Sequence, residues 1–253
     1  METVELGKTN NDVILLLHGG GLSWWNYSKT AESLEQHYHV VIPILNGHAG
    51  SRTPFTSIEN NAKEIISYID ETFGGHILLA GGLSLGGQIL VEMLSQRKDI
   101  CDLAVIESTL VTPMKLTAAL IAPACSLCYP LIKKHWFAKL QFRSLHIRAE
   151  LFETYFKDSS RIKKEDMISF LKANSNYRLK DTISDCQAKT LILVGEKERG
   201  LLKQSAALLN QKISNSALEV LPQYTHGDLS INHSMEYTQK ILRLIYAHKS
   251  TLR

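Results

Sequence analysis

The sequence predicts an α/β protein with a mostly parallel, doubly wound sheet and a helical cap inserted between core strands. Apolar runs of strand length alternate along the chain with stretches whose apolar residues have helical spacing. This alternation is typical of an open parallel sheet covered on both faces. It is interrupted once, by about seventy residues without a strand pattern, and then resumes. A glycine-rich turn joins one predicted strand directly to a helix.

The first half of the chain supplies most of the predicted sheet. Residues 13–17, Val-Ile-Leu-Leu-Leu, are apolar throughout, as expected of a strand buried on both faces. A helix is predicted over about 24–36 with Ser23 as its N-cap, and another over 57–73 that ends at Gly74. Further strands are predicted at 40–45, 77–80 and 103–106, and the strand at 77–80 is followed by a helix to about residue 97.

The interruption defines the predicted domains. Residues 113–182 have mainly helical patterns and are too long to be a loop. We therefore predict an α/β core at 1–112 and 183–253, and a helical cap at 113–182. Within the second core segment, strands are predicted at 190–194 and 218–221, and helices at 201–211 and 237–248.

Composition excludes several classes of protein. The 253 residues are 44% hydrophobic and 21% charged, which is ordinary for a globular protein. A net charge of +3, without a basic stripe carrying aromatic residues, argues against nucleic-acid binding. The first residues are acidic and the first apolar run is short, so we expect no secretory signal and a cytoplasmic location.

The cysteines and glycines predict no cofactor or metal. Cys125 and Cys128 form a Cys-x-x-Cys pair, but a structural zinc site needs two more ligands and no second pair exists. We interpret this pair as reduced cysteines buried in an apolar segment, which fits a reducing compartment. The glycine runs at 19–21 and 81–87 match neither phosphate-binding nor dinucleotide-binding motifs.

The predicted cap has its own charge and hydropathy. It contains thirteen Lys or Arg and six Asp or Glu, a net charge of +7. Residues 116–132 carry no charge and are flanked by Lys115 and by Lys133 and Lys134, but Pro123 and Pro130 interrupt this run. We interpret the run as a segment lining an apolar pocket. Contact with a membrane surface is the alternative.

Residues 82–86, Gly-Leu-Ser-Leu-Gly, place Ser84 between the predicted strand and the predicted helix. A sharp strand-to-helix turn of this kind needs glycine on either side, since a β-carbon there would collide with the neighbouring strand or helix. The turn would hold the Ser84 hydroxyl at the edge of the sheet, where it can act as a nucleophile.

A serine hydroxyl needs a base, and the base needs an orienting group. Glu196 and Glu198 follow one later strand, and His226 follows the last one, so all lie at the edge of the sheet that carries Ser84. The chain order of serine, acid and histidine is the order expected when the serine comes first. Glu107, at the end of another strand, is a further candidate acid.

An acyl-transfer transition state also needs N–H donors for the negative charge on its oxygen. The N–H of Leu85, directly after Ser84, is one candidate donor. The loop His18-Gly19-Gly20-Gly21 can supply the second, and we favour Gly20, with Gly21 next.

Taken together, these motifs resemble those of the α/β-hydrolase superfamily, in its small lidded form. The resemblance covers residues 13–112 and 183–250 and implies Ser84 as nucleophile, His226 as base and Glu198 as acid. The acid is more usually aspartate in this family, so Glu196 and Glu107 remain alternatives. The short N-terminal segment predicts that the family's first strands are reduced to one or lost.

The expected function is that of a serine esterase. It would cleave a small or medium carboxylic ester with an apolar acyl part through an acyl-enzyme. The same residues would also serve an acyltransferase, a C–C hydrolase or a lyase. A ligand-binding or sensor homologue with little turnover is the second alternative.

Overall fold

A computed structural model describes residues 1–145 and 147–251. Its centre is a seven-stranded sheet with the strand order β1-β3-β2-β4-β5-β6-β7, in which β1 pairs antiparallel with β3 and every other pair is parallel. The strands are β1 (Thr3–Leu6), β2 (Val13–Leu17), β3 (His39–Pro43), β4 (Ile77–Leu83), β5 (Cys101–Glu107), β6 (Lys189–Gly195) and β7 (Ser216–Leu221). The predicted fold class is confirmed, and one strand precedes β2.

The α-helices connect the strands and cover both faces of the sheet. They are α1 (Ser28–Leu34), α2 (Ile58–Phe73), α3 (Leu85–Gln96), α4 (Lys115–Ile132), α5 (His135–Ser144), α6 (Phe152–Ser159), α7 (Lys164–Asn176), α8 (Gly200–Lys212), α9 (Asp228–Asn232) and α10 (Ser234–Thr251). Short 3₁₀ helices occupy Trp24–Tyr27, Ala149–Leu151 and Asp181–Asp185.

The sequence of β2 does not alternate between apolar and polar residues, because both faces of this strand are buried. Leu15 and Leu17 pack into the apolar core on one face of the sheet. Ile14 and Leu16 pack into the core on the other face. Because helices cover both faces, each of these side chains is fully buried.

The strand order reverses on either side of β2, which pairs with β3 on one side and with β4 on the other. In open parallel sheets such a reversal leaves a crevice at the carboxyl ends of the strands. Residues that follow β2, β4, β5, β6 and β7 therefore meet at this edge.

One predicted helix differs from the structure. Residues 24–36 form a 3₁₀ turn followed by the short helix α1, and the Ser23 side chain makes no cap hydrogen bond. Instead, the Ser23 carbonyl accepts from the Asn26 N–H, which closes a tighter turn. The helix predicted from residue 57 does begin with a cap, since the Ser57 hydroxyl accepts from the Asn60 N–H.

Helices α4 to α7 all lie between β5 and β6 in the chain. Within 113–182, the residues that the structure describes contain no strand, as the helical patterns predicted. The division into a core and a cap at 112 and 183 stays a prediction.

Candidate active site

Ser84 occupies a sharp turn between β4 and α3. Its backbone has φ 53° and ψ −110°, a conformation that is rare for a residue with a side chain. A β-carbon on Gly82 would lie 2.5 Å from the Gly86 carbonyl oxygen. A β-carbon on Gly86 would collide with the carbonyl oxygens of Leu17 and His18. The two glycines therefore permit the close contact between this turn, its helix and β2.

The structure brings Ser84, His226 and Glu198 into one hydrogen-bonded chain. His226 Nδ1 lies 2.8 Å from Glu198 Oε2, and His226 Nε2 lies 3.0 Å from Ser84 Oγ. A carboxylate can only accept, so Nδ1 carries the proton and Nε2 accepts from the Ser84 hydroxyl. The His226 side chain is 48% exposed whereas that of Glu198 is buried, so the histidine is open to a substrate.

Glu198 is held as a carboxylate despite its burial. Burial raises its pKa, but hydrogen bonds and charge from His226 lower it more, with help from the Gly195 N–H and the Ser108 hydroxyl. The Gly195 N–H donates to Oε1 at 2.8 Å because residues 195–198 form a tight turn after β6. The net effect keeps the pKa of the Glu198 carboxyl below its ordinary value.

Sequence reasoning missed Ser108, which directly follows β5. Its Oγ donates to Glu198 Oε1 at 2.7 Å and accepts from the Gly227 N–H at 3.1 Å. Its φ of 53° turns the chain sharply at the strand end. Its position was the signal that could have found it. Ser108 is polar and follows β5, which lies in the sheet between β4, the strand before Ser84, and β6, the strand before Glu198.

The two alternative acids lie elsewhere. Glu196 is exposed, and its Oε2 accepts from the Gln223 N–H at 2.9 Å. Glu107 is buried, and its Oε1 accepts from the Ser230 N–H at 3.2 Å. The structure places neither carboxylate in hydrogen-bond contact with His226.

Leu85 and Gly20, the predicted N–H donors for an oxyanion, are neighbours. Leu85 is the first residue of α3, so its N–H has no acceptor within the helix. A β-carbon on Gly20 would lie 3.4 Å from Leu85 Cδ2. Gly20 therefore lies against the side chain of the residue that follows Ser84, and the role of both N–H groups as donors stays a prediction.

His18 anchors the loop that carries Gly20. The Leu45 N–H donates to His18 Nε2 at 3.2 Å, so Nδ1 carries the proton and donates to the Gly19 carbonyl at 2.9 Å. Burial, followed by the proximity of His48, lowers the pKa of His18 to about 3. The ring is therefore neutral and ties the loop to the chain after β3.

Other polar residues near the site have local partners. His48 is buried against Phe170, and burial lowers its pKa to about 4. Asp228 accepts from the Asn232 amide at 2.7 Å, and His233 stacks on Tyr224. Among the described residues, no group of three or more His, Cys, Asp or Glu is arranged to hold a metal ion.

A cavity of about 410 Å³ opens beside Ser84 and His226. Most of its wall is apolar, with two cationic side chains at one side. The lining residues are Ser84, Ser108, Leu110, Met114, Asn174, Lys197, Glu198, Arg199, Leu201, Leu202, Thr225 and His226. Met114 belongs to the predicted cap and directly precedes α4. None of the described α4 residues lines this cavity, so the prediction that residues 116–132 line the apolar pocket is wrong for this cavity.

Comparison with known proteins agrees with this architecture. A family model described as alpha/beta hydrolase fold matches residues 12–127, which include β2 to β5 and Ser84. No curated protein sequence matches the chain significantly.

Solved structures match over nearly the whole chain. A thermophilic esterase from Thermogutta terrifontis is 17% identical, with a TM-score of 0.78 over 96% of this chain and 93% of its own. An enol-lactonase from Burkholderia xenovorans LB400 is 16% identical, with a TM-score of 0.79 over 97% and 96%. A bromoperoxidase from Bacillus anthracis is 15% identical, with a TM-score of 0.80 over 96% and 94%. At these identities the likeness shows the fold.

Proposed function

Because a family model of the alpha/beta hydrolase fold matches residues 12–127 and solved structures share the fold, we propose that the chain belongs to the α/β-hydrolase superfamily and is a serine hydrolase that cleaves a carboxylic ester of small or medium size. The observation that carries this proposal is the chain of hydrogen bonds from Ser84 through His226 to Glu198, at 3.0 and 2.8 Å. These distances lie within the range for proton transfer from a nucleophile to its base. Proteins that share this fold have different activities, so the substrate class has to be inferred from the site itself.

The proposed reaction begins when Ser84 Oγ attacks the ester carbonyl. His226 Nε2 takes the hydroxyl proton and gives it to the leaving alcohol, and Glu198 stabilises the imidazolium that forms in between. The negative oxygen of the tetrahedral intermediate would accept from the N–H groups of Leu85 and Gly20. Water, deprotonated by His226, then attacks the acyl-enzyme and releases the carboxylic acid.

The cavity favours an ester with an apolar acyl part. Its apolar lining residues are Leu110, Met114, Leu201 and Leu202. Burial of an acyl chain against them is worth about 0.8 kcal/mol per methylene group. A volume of about 410 Å³ lies within the usual range for small-molecule pockets.

The test is reaction with a fluorophosphonate, which phosphonylates only an activated serine, followed by intact-mass measurement. The parent is expected to gain one adduct, and Ser84→Ala none. His226→Ala should react at least about a hundredfold more slowly, since the serine then lacks its base. A series of p-nitrophenyl esters of increasing acyl length, measured in parallel, should give a kcat/KM that rises with chain length.

Two results would contradict the proposal. One is an unlabelled parent that also leaves every ester in the series intact. The other is an adduct that persists in Ser84→Ala, since the reactive residue would then be a different one. Addition of an alcohol or thiol acceptor to the assay distinguishes hydrolysis from acyl transfer by its products.

A further inference from the structure

Helix α4 exposes a row of leucines to solvent. Leu116 is 85% exposed, Leu120 66% and Leu127 80%, and Leu131 is also exposed. At 3.6 residues per turn, these four side chains fall within about 60° of one another around the helix. We call Leu116, Leu120, Leu127 and Leu131 the leucine stripe. A continuous exposed apolar surface of this kind is typical of a docking site rather than of an ordinary protein surface.

The opposite face of α4 is attached to the rest of the protein. Ala118 and Ile132 are buried, and Cys125 and Tyr129 pack against the core. The Tyr129 hydroxyl donates to the Ile162 carbonyl at 2.9 Å. Among the helices of the described residues, α4 is the one that is long and apolar enough to cross a bilayer. Its packed face, however, fixes it to the fold, so the leucine stripe can contact a membrane only from one side.

The next helix also exposes large apolar side chains. On α5, Trp136 is 63% exposed and Leu140 61% exposed. They are four residues apart and therefore lie on one face of the helix. Tryptophan is enriched where proteins meet the boundary between lipid and water, because its ring is apolar and its N–H is polar.

The charged side chains that α4 and α5 themselves carry are all basic, although Glu153 of α6 lies 3.3 Å from His135 Nε2 on α5. Residues 108–149 include no Asp or Glu, whereas they contain the basic residues Lys115, Lys133, Lys134, Lys139, Arg143 and Arg148. The four lysines are exposed, and no carboxylate of the described residues lies within salt-bridge distance of any of them. This arrangement favours an anionic partner. It disfavours a second copy of the chain, since a symmetric contact would bring two sets of like charges together.

We propose that the face formed by α4 and α5 binds to the surface of an anionic phospholipid bilayer. The leucine stripe and Trp136 enter the boundary between headgroups and acyl chains. Lys115, at one end of α4, and Lys133 and Lys134, at the other, contact the phosphate and carboxylate groups of the lipids. An apolar face combined with basic residues is the usual combination for such interfacial binding.

The proposed surface begins next to a residue of the cavity wall. Met114 lines the cavity beside Ser84 and directly precedes α4. Binding to a bilayer would place the cavity entrance next to the lipid, from which an apolar ester could enter without crossing water. This consequence rests on the proposed ester hydrolysis, whereas the membrane binding itself does not.

The test is co-sedimentation with vesicles, using the full chain. Phosphatidylcholine vesicles are compared with vesicles in which about 30% of the lipid is phosphatidylserine, which reproduces an anionic leaflet. The parent is expected to bind the anionic vesicles strongly and the neutral ones weakly, and to be released by high salt. Leu120→Ser/Leu127→Ser should weaken the binding by about tenfold or more. Lys133→Gln/Lys134→Gln should weaken it by about thirtyfold on anionic vesicles only.

Met235→Ser is the matched control, since Met235 is 75% exposed but lies on α10. It should bind vesicles as the parent does. Ser84→Ala should also bind unchanged, so failure of the esterase proposal and failure of this one are distinguishable. Circular dichroism melts establish that each variant is folded before it is compared.

Three results would overturn the proposal. The first is a parent that binds neither kind of vesicle. The second is a folded Leu120→Ser/Leu127→Ser variant that binds as tightly as the parent. The third is a parent dimer in sedimentation equilibrium that the leucine substitutions dissociate, since a second copy would then cover this face.

Discussion

Ser108 holds Glu198 in place from a neighbouring strand end. Its hydroxyl donates to Glu198 Oε1 at 2.7 Å and accepts from the Gly227 N–H at 3.1 Å. One side chain after β5 thus joins the carboxylate that follows β6 to the loop that carries His226. Because Ser108 contacts both the carboxylate that faces His226 and the residue that follows His226, we expect it to be a positioning residue.

Ser108→Ala is therefore expected to slow turnover without abolishing it. Glu198 Oε1 would keep the Gly195 N–H but lose a hydrogen bond to a charged group, worth about 1.5–3 kcal/mol. We expect kcat for a p-nitrophenyl ester to fall by about tenfold to a hundredfold, with KM nearly unchanged. The rate of fluorophosphonate labelling should fall in parallel. A normal kcat in the folded variant would show that the Gly195 N–H suffices.

A pair of substitutions tests the identity of the acid. Glu198→Gln keeps the shape but loses the charge that orients His226 and stabilises its protonated form, so kcat should fall by about a thousandfold or more. Glu196→Gln is the matched control, because this carboxylate is exposed and contacts Gln223 instead. Its kcat should stay within about twofold of the parent's, as is usual for surface changes. A large fall in kcat for Glu196→Gln, with a nearly unchanged kcat for Glu198→Gln, would identify Glu196 as the acid instead.

The sequence predicts which site residues lie at strand ends, but it does not predict which of their side chains contact one another. Ser84, Glu198 and His226 each follow a recognisable apolar strand, and parallel strands end at a common edge, so their proximity could be inferred. Ser108 belongs to no motif, and only the three-dimensional turn after β5 reveals its two partners. Glu107 ends a strand and Glu198 follows one, and the choice between them depends on which carboxylate reaches His226.

The sequence also does not predict that one face of α4 is exposed to solvent. Its uncharged run fits a buried helix, a pocket wall and a membrane-facing helix alike. Composition does not say which face of a helix finds a partner, because that depends on how the neighbouring helices pack. The same limit applies to Ser23, whose residue type favours a helix cap but whose carbonyl closes a 3₁₀ turn.

Substitution of Gly86 or Gly87 by alanine should lower the unfolding free energy. A second substitution should recover part of that loss for Gly87→Ala but not for Gly86→Ala. In Gly86→Ala the new methyl group would meet the backbone carbonyls of Leu17 and His18, which cannot move without disrupting β2. We expect this variant to be insoluble or to lose more than about 4 kcal/mol of unfolding free energy. Urea denaturation of the soluble fraction measures the loss.

Gly87→Ala is the informative partner, because its new methyl group would meet the Thr109 hydroxyl, which is a removable side-chain atom. Thr109→Ala in the same chain should restore part of the lost unfolding free energy. The same second substitution should leave Gly86→Ala as unstable as before. Equal rescue of both variants would mean that the turn adjusts as a whole.

Glu107 is predicted to make stability depend on pH. Burial raises the pKa of this carboxyl to about 7, from an ordinary value of 4.5. Its Oε1 accepts from the Ser230 N–H, while Oε2 has no hydrogen-bond partner among the described residues. Since the folded protein holds the proton more tightly than the unfolded chain, the stabilisation is complete below about pH 4.5 and is lost as pH rises through about 7. The full loss is about 3 kcal/mol.

Glu107→Gln removes this titration but keeps the shape of the side chain and its acceptor for Ser230. The parent should therefore lose unfolding free energy between pH 5 and 8 relative to the variant, and the difference between them should favour the variant most at pH 8. Urea denaturation at each pH measures it, and contributions of the buried histidines cancel in the comparison. Because Glu107 does not contact His226, esterase activity should persist in Glu107→Gln. Stability differences that do not change with pH would show that Glu107 is ionised throughout, and a lost activity would give it a role in the site.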